Sequence, residues 1–247
     1  MSELAGQVAI VTGGGRGIGR AICEQLAAEG CALVVNYHGS KRAADDLVEE
    51  LGSRSGRAVA VGGSIADPAT GPALAAAALE HFGRIDILVN NAGITRDVTV
   101  RKMTDEDFTE IIETNLVGTH RVTKAVLDHL CDAGGGRIVT IASFVAQLGN
   151  YGQANYAASK GGLISWTKTL AYEVARFGVT VNCVCPGFID TDMLRAVPEH
   201  IRARLLARVP LGRFGDPEEI ARGVLYLVRD GGYVTGACLD VNGGLYM

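Results

Sequence analysis

The sequence predicts an α/β fold: a doubly wound parallel sheet of about seven strands, helices on both faces, in one domain over residues 1–247. Three observations carry this. Short β-branched runs such as QVAIVT (7–12) and ALVVNY (32–37) alternate with helical patterns along the whole chain. The strands read as continuous apolar runs, as strands buried on both faces do. No linker, repeat or low-complexity tract divides the 247 residues, a length that one core can organise.

The elements follow in order. QVAIVT is the first strand, Gly13–Gly19 a glycine loop, and 18–29 a helix with Ile22 and Leu26 on one face. ALVVNY is the second strand, 41–54 a helix and AVAVG (58–62) the third strand. Asp67-Pro68 opens the next helix, with aspartate at the N-cap and proline at N1. DILVNNAG (86–93) is a strand running into a loop. Thr104 starts a helix to about 131, with Asp107 echoing a capping box. RIVTIAS (137–143) is the fifth strand, 154–177 a long helix and VTVNCVCPG (179–187) the sixth strand. An arginine-containing section (190–215), a helix from Asp216-Pro217 to about 229, and a last strand around 237–241 complete the chain.

Bulk properties exclude several classes. A net charge of −4 gives no basic footprint for nucleic acid. No run approaches the ~18 apolar residues that span a membrane, and MSELAGQVAIVTGGG lacks the basic start of a signal peptide. Six cysteines (23, 31, 131, 183, 185, 238) form no CxxC; they read as reduced core residues of a cytoplasmic protein. His120, His129 and His200 lack partners at metal-ligand spacing, so no metal is expected.

In parallel sheets ligands bind beyond the carboxyl ends of the strands. Gly13–Gly19, Asn90–Gly93, Ser143 and Pro186-Gly187 all fall there. The loop TGGGRGIG (12–19) gives a tight turn, close backbone approach and a helix N-terminus, which together suit a pyrophosphate. Dinucleotide sites that select NAD place an acid after the second strand. Here Asn36-Tyr37-His38 stands instead, with Arg16 in the loop and Lys41 and Arg42 beyond. A 2′-phosphate would be welcomed, which predicts NADP(H) in preference to NAD(H). A solvated helix start explains Lys41 and Arg42 equally well. Tyr156 and Lys160, at i and i+4, leave one helix face, and an ammonium there would favour phenolate and lower the phenol pKa.

TGGGRGIG, NNAG (90–93), Asn115, Ser143, Tyr156-Ala-Ala-Ser-Lys160 and Pro186-Gly187 stand together in one register. In this the chain resembles the short-chain dehydrogenase/reductase family over its whole length. The resemblance implies a Rossmann-type fold and an NAD(P)-dependent oxidoreductase acting on CH–OH groups. It implies Asn115, Ser143, Tyr156 and Lys160 as the catalytic set. Tyr156 donates a proton to a ketone oxygen, Ser143 positions that oxygen, Lys160 lowers the phenol pKa and grips the nicotinamide ribose, and Asn115 interrupts its helix and holds a relay water. It also implies cofactor contacts from Gly13, Gly15, Arg16, Gly17, Ile18, Gly19, Asn36, Tyr37, Ser64, Ile65, Asn91, Ala92, Gly93, Tyr156, Lys160, Pro186, Gly187, Ile189 and Thr191. The N-terminal half would serve the cofactor, the C-terminal half catalysis and a substrate flap at 190–215.

Within the family, NNAGITRD (90–97), DFTEIIETNL (107–116), GQANYAASK (152–160), PGFIDTDM (186–193) and VNGGLYM (241–247) are similar to 3-oxoacyl-[acyl-carrier-protein] reductases and almost as similar to acetoacetyl-CoA reductases. That implies an acyl thioester substrate on carrier protein or CoA, fatty acid biosynthesis and a homotetramer. Two departures stand out: Ser64 replaces a family aspartate at the adenine, and LDHLCDAGGG (127–136) and Phe177 offer no cation to an acidic carrier. Arginines of the flap could meet phosphates instead, or form a solvated helix. Tyr151 is expected to line the substrate pocket. Alternatives are a reductase of another ketone or alcohol, and an NADP(H)-sensing binding module; the latter class should lack Tyr156 or Lys160.

Overall fold

The computed structural model of the chain describes residues 4–53 and 57–247. Its elements are β1 (Val8–Val11), α1 (Gly17–Ala28), β2 (Ala32–Tyr37), α2 (Lys41–Ser53), β3 (Ala58–Gly62), α3 (Thr70–Phe82) and β4 (Ile87–Asn90). Then come α4 (Asp105–Ile112), α5 (Thr119–Asp132), β5 (Gly136–Ile141), α6 (Val145–Leu148), α7 (Ala154–Val174) and β6 (Val179–Pro186). The chain ends with α8 (Asp192–Arg195), α9 (Glu199–Leu206), α10 (Pro217–Arg229) and β7 (Cys238–Val241). The seven strands form one sheet in the order β3-β2-β1-β4-β5-β6-β7, and every neighbouring pair is parallel.

The period-2 pattern of the strands divides the core. Ala9, Val11, Leu33, Val35, Ile87 and Val89 face α1, α2 and α10; Val8, Ile10, Val34, Leu88 and Ile138 face α3, α5 and α7. Helices therefore cover both faces, which is what buried parallel strands require. Strand order reverses between β1 and β4, so a crevice opens at their carboxyl ends.

Local signals explain most element starts. Thr104 and Asp107 form a reciprocal capping box at α4, and Asp216 and Glu219 form one at α10 with Pro217 behind it. The third helix departs from expectation. It begins at Thr70, because Asp67 accepts the Ala69 amide at 2.9 Å and closes a turn first. The helix expected from Thr104 to about 131 is divided: Glu113–Gly118 is a π-helical turn between α4 and α5. The long helix ends as 3₁₀ turn over Ala175–Phe177. The expected second-helix end at Arg54 lies outside the described residues.

On α7, Leu163 and Leu170 are core: they are 1 % and 6 % exposed. Trp166 packs against the cluster that holds Leu170 and meets His120 edge-on. Cys23, Cys31, Cys183 and Cys185 are buried. Among the described residues no helix is long and apolar enough to cross a membrane.

Candidate active site

Residues from five loops meet at the crevice. The glycine loop is held by side chains on either side. Asn91 Nδ2 donates to the carbonyls of Thr12 and Gly13 at 3.0 and 3.1 Å. Thr12 Oγ1 accepts the amides of Asn91 and Ala92 at 2.9 and 3.0 Å. Asn36 Oδ1 accepts the Gly13 amide at 3.3 Å, while its Nδ2 donates to the Val61 and Gly63 carbonyls at 3.2 and 3.0 Å. Asn36 and Asn91 are thus spent on the chain's own backbone, and they shape the loop.

Glycine is obligatory at two points of this loop. A Cβ on Gly19 would lie 2.2 Å from the Gly13 carbonyl oxygen, and Gly13 itself has φ of +62°. Gly15 packs on Ala44, and Gly17 faces Thr191 across the crevice. Arg16 is exposed at the N-cap of α1 and makes no side-chain cap bond, so first-turn amides of α1 point into the crevice. A tight loop feeding an uncapped helix N-terminus fits a pyrophosphate.

Farther along the sheet edge, Tyr37 lies over Gly62. Lys41 Nζ pairs with Asp45 at 2.6 Å and Arg42 with Asp46 at 3.9 Å, each one turn on and exposed. Ser64 Oγ accepts the Ala66 amide at 3.3 Å, and Ile65 is buried against Gly118. On the other side the Gly187 amide donates to Val241, and a Cβ there would sit 2.7 Å from the Asn242 carbonyl. The Pro186 carbonyl accepts from Phe144, Ile189 is 8 % exposed, and the Thr191 amide donates to the Ile189 carbonyl at 2.8 Å. Ile18, in the first turn of α1, packs against the α1 side of the core.

The four catalytic candidates converge. Ser143, buried at the end of β5, accepts the Val145 amide at 3.2 Å and hydrogen-bonds Tyr156. Lys160 is 3 % exposed and donates from Nζ to the Ile141 carbonyl at 2.7 Å, with the Tyr156 ring centre 5.6 Å away. Asn115, fully buried in the π turn, accepts the Ile94 amide at 2.8 Å and donates to the Ile94 carbonyl at 2.9 Å and to Ser159 Oγ at 3.2 Å. Gly93 brings the two halves together: a Cβ there would lie 3.2 Å from Asn115 Oδ1 and 3.5 Å from Lys160 Nζ.

The electrostatics differ from the expected ones. Burial pushes the Tyr156 phenol up to about 12; the Ser143 hydrogen bond opposes this, and the Asp97 charge adds to it. Burial also brings the Lys160 ammonium down to about 8. The net shift of the phenol is thus upward, because burial outweighs the lowering expected from a nearby ammonium. A phenol at about 12 stays protonated at neutral pH, as a proton donor requires.

Three supporting residues stand inside the quoted motifs, with no role of their own expected from the sequence. Ser159 donates to the Tyr156 carbonyl at 2.8 Å, and Asn155 Oδ1 accepts the Tyr156 amide at 2.8 Å while its Nδ2 holds the Arg96 and Asp107 carbonyls at 3.1 Å. Thr12 is the third. Membership of a motif was the one signal available for each. Tyr151, expected to line the pocket, is 89 % exposed.

Comparison with known proteins agrees with this geometry. The model of the family described as short chain dehydrogenase matches residues 7–202. The 3-oxoacyl-[acyl-carrier-protein] reductase FabG of Escherichia coli (strain K12) is 49 % identical over 243 residues, 98 % of each chain. The protein of the same name from Vibrio cholerae is 47 % identical over 246 residues, 99 % of each chain. The 3-oxoacyl-[acyl-carrier-protein] reductase of Synechocystis is 46 % identical over 250 residues, all of each chain. With its parallel sheet, its glycine loop and the Ser143–Tyr156–Lys160 cluster at one sheet edge, the chain belongs to the short-chain dehydrogenase family.

Proposed function

We propose that the chain reduces a 3-oxoacyl thioester to the 3-hydroxyacyl thioester with NADPH, as a step of fatty acid synthesis. The observation that carries this is the half-buried Tyr156, hydrogen-bonded to Ser143 with Lys160 Nζ over its ring, in a chain 49 % identical to a 3-oxoacyl-[acyl-carrier-protein] reductase. NADPH, when bound, supplies hydride. The chain supplies position and protons.

Ser143 donates a hydrogen bond to the ketone oxygen and fixes it beside Tyr156. Tyr156 gives its proton to that oxygen as negative charge develops there. Lys160 holds the nicotinamide ribose and returns a proton to Tyr156. Asn115 links Lys160 to solvent. Gly13, Gly15, Gly17 and Gly19 let the loop and the α1 amides close on the pyrophosphate. Ser64, Ile65, Ala92 and Gly93 flank the adenosine. Pro186, Gly187, Ile189 and Thr191 orient the nicotinamide.

The absence of an acid after β2, together with exposed Arg16 and Arg42, supports NADPH over NADH. Lys41 and Arg42 exchange Asp45 and Asp46 for the 2′-phosphate. NADPH should give the higher kcat/KM, and Arg42→Ala should narrow the ratio; a parent enzyme preferring NADH refutes the assignment. Tyr156→Phe should lower kcat on acetoacetyl-CoA by about 10²–10⁴-fold with NADPH affinity retained. An unimpaired variant sinks the mechanism.

A second reading, reduction of the CoA thioester in place of the carrier-bound one, has its own support. Arg137 is tied to the Val228 and Gly136 carbonyls, and Arg176 lies over the Phe177 ring. Few cations thus face an acidic carrier. Matched acyl-carrier and acyl-CoA substrates decide between them. The reading carries with it a cytoplasmic homotetramer; light scattering should give about four times the chain mass of 25.8 kDa.

A further inference from the structure

A run of hydrogen bonds connects the 190–215 flap to the tyrosine. Val209–Leu211, near the end of the flap, wall a cavity of about 620 Å³ together with Phe188 and Ile189. Arg208, just before them, donates from Nη1 to Asn150 Oδ1 at 3.0 Å, with its Cζ 5.6 Å from the Phe188 ring centre. Phe188 in turn meets Phe144, the neighbour of Ser143, edge-on at 5.0 Å. Asn150 Nδ2 donates to Gln153 Oε1 at 2.9 Å, and Gln153 Nε2 donates to Asp97 Oδ1 at 2.9 Å. The Val98 amide donates to the Gly152 carbonyl at 2.8 Å, which ties the Asp97 loop to the same turn.

We propose that Arg208, Asn150 and Gln153 are positioning residues: Arg208 latches the flap to the turn between α6 and α7, and the two amides carry that latch to Asp97 in the loop after β4. This rests on the reading of Tyr156 as the proton donor to a ketone. The polarity of the run is the argument. A guanidinium only donates and a carboxylate only accepts, so both amides are forced into one orientation between them. Turning either amide over breaks the bonds on both its sides. Four residues from three separate stretches of chain are thereby ordered in one direction, from cation to anion.

The consequence is mechanical and electrostatic. When the flap lifts, Asn150 Oδ1 loses its donor, and a run oriented from both ends is left oriented only from the Asp97 end. With the flap closed, the Asp97 charge adds to burial, the larger cause, in opposing ionisation of Tyr156. The charged groups facing Tyr156 are Asp97 from the loop after β4 and Lys160 from its own helix; Ser143, from the end of β5, is neutral.

Kinetics with NADPH and acetoacetyl-CoA, hydrogen exchange of residues 190–215 and tyrosinate absorbance test the latch. Arg208→Ala and Asn150→Ala should each raise the thioester KM about fivefold, with the NADPH Kd unmoved. The double variant should be no worse than either single one, and Arg208→Lys should recover part of the loss. Exchange in the flap should quicken in both alanine variants. Gln153→Leu, compared with its Tyr156→Phe counterpart, should show Tyr156 ionising at lower pH than in the parent. Additive single effects, unchanged flap exchange or an unmoved Tyr156 titration would each overturn the latch. A parent enzyme inert toward acetoacetyl-CoA would instead sink the functional reading, and exchange and absorbance would still decide the latch.

Discussion

At the scale of single residues, Lys160 shows what burial costs a functional site. The folded chain holds its ammonium at about 8, against 10.5 for the ordinary side chain. Below pH 8 both folded and unfolded chains carry the charge, and only the folded one carries it buried. Above pH 10.5 neither carries it. Between the two the unfolded chain binds the extra proton, so this contribution to stability rises with pH. The difference corresponds to about 3 kcal/mol near pH 7 and under about 1 kcal/mol at pH 10. Removing the ammonium also strands the Ile141 carbonyl, which costs about 1 kcal/mol. Lys160→Met should therefore be more stable than the parent by about 2 kcal/mol at pH 7 and nearly equal to it at pH 10. Denaturant titrations at the two pH values check this; a pH-independent difference refutes it. The spacing of Tyr156 and Lys160 was legible in the sequence because helical periodicity is. The sign of the phenol shift was not, because desolvation depends on everything packed around the ring, and i, i+4 spacing says nothing of that.

At the scale of elements, the loop from β1 into α1 is the most constrained piece of the site. Asn91, Thr12 and Asn36 bind it from three sides, and Gly19 leaves no room for a methyl group: a Cβ would meet Asn91 Nδ2 at 2.6 Å as well as the Gly13 carbonyl. Gly19→Ala should destabilise the fold by about 3 kcal/mol and abolish NADPH binding. Gly52, in α2, has nothing within 4 Å of an added Cβ among the described residues, and Gly52→Ala should stabilise by about 0.5 kcal/mol. Chemical denaturation of the pair separates space from chain entropy; equal effects would contradict the packing argument. The helix cap at α10 gives a smaller number. Asp216→Ala removes one half of a capping box and should cost about 1 kcal/mol, a fall of roughly 2–4 °C in Tm. These devices were readable because glycine spacing and capping residues are local codes. The π turn over Glu113–Gly118 was only partly so. Asn115 was expected to interrupt its helix, but the form of the interruption is fixed by Ile94 and Ser159, which lie 21 and 44 residues away. The start of α3 was misplaced for a similar reason. Asp67 has the chemistry of an N-cap, yet it closes a turn on Ala69, and Thr70 donates to the Ser64 carbonyl.

At the scale of the whole molecule, the sheet makes one cooperative unit of two functional halves. Strands β1 to β3 and the glycine loop lie on one side of the switch point, and the Ser143–Tyr156–Lys160 cluster lies on the other. Both core clusters cross that division: Val11 and Leu33 share theirs with Val139 and Val224, and Ile10 and Val34 share theirs with Ile138 and Leu170. Neither half can therefore lose its packing alone. Calorimetry should show a single transition, and two resolved transitions would mean that the halves are separate domains. The cofactor is the second half of the test, because its proposed contacts come from both sides of the switch point. At 100 times its Kd, NADPH should add about 2.7 kcal/mol and raise the transition by roughly 5–10 °C without splitting it. In Gly19→Ala that rise should vanish, and in Tyr156→Phe it should persist, since the phenol is assigned to proton transfer and the loop to binding. A Tyr156→Phe chain that also loses the rise would move Tyr156 from chemistry to cofactor retention, while a Gly19→Ala chain that keeps it would place the pyrophosphate elsewhere than the β1–α1 loop.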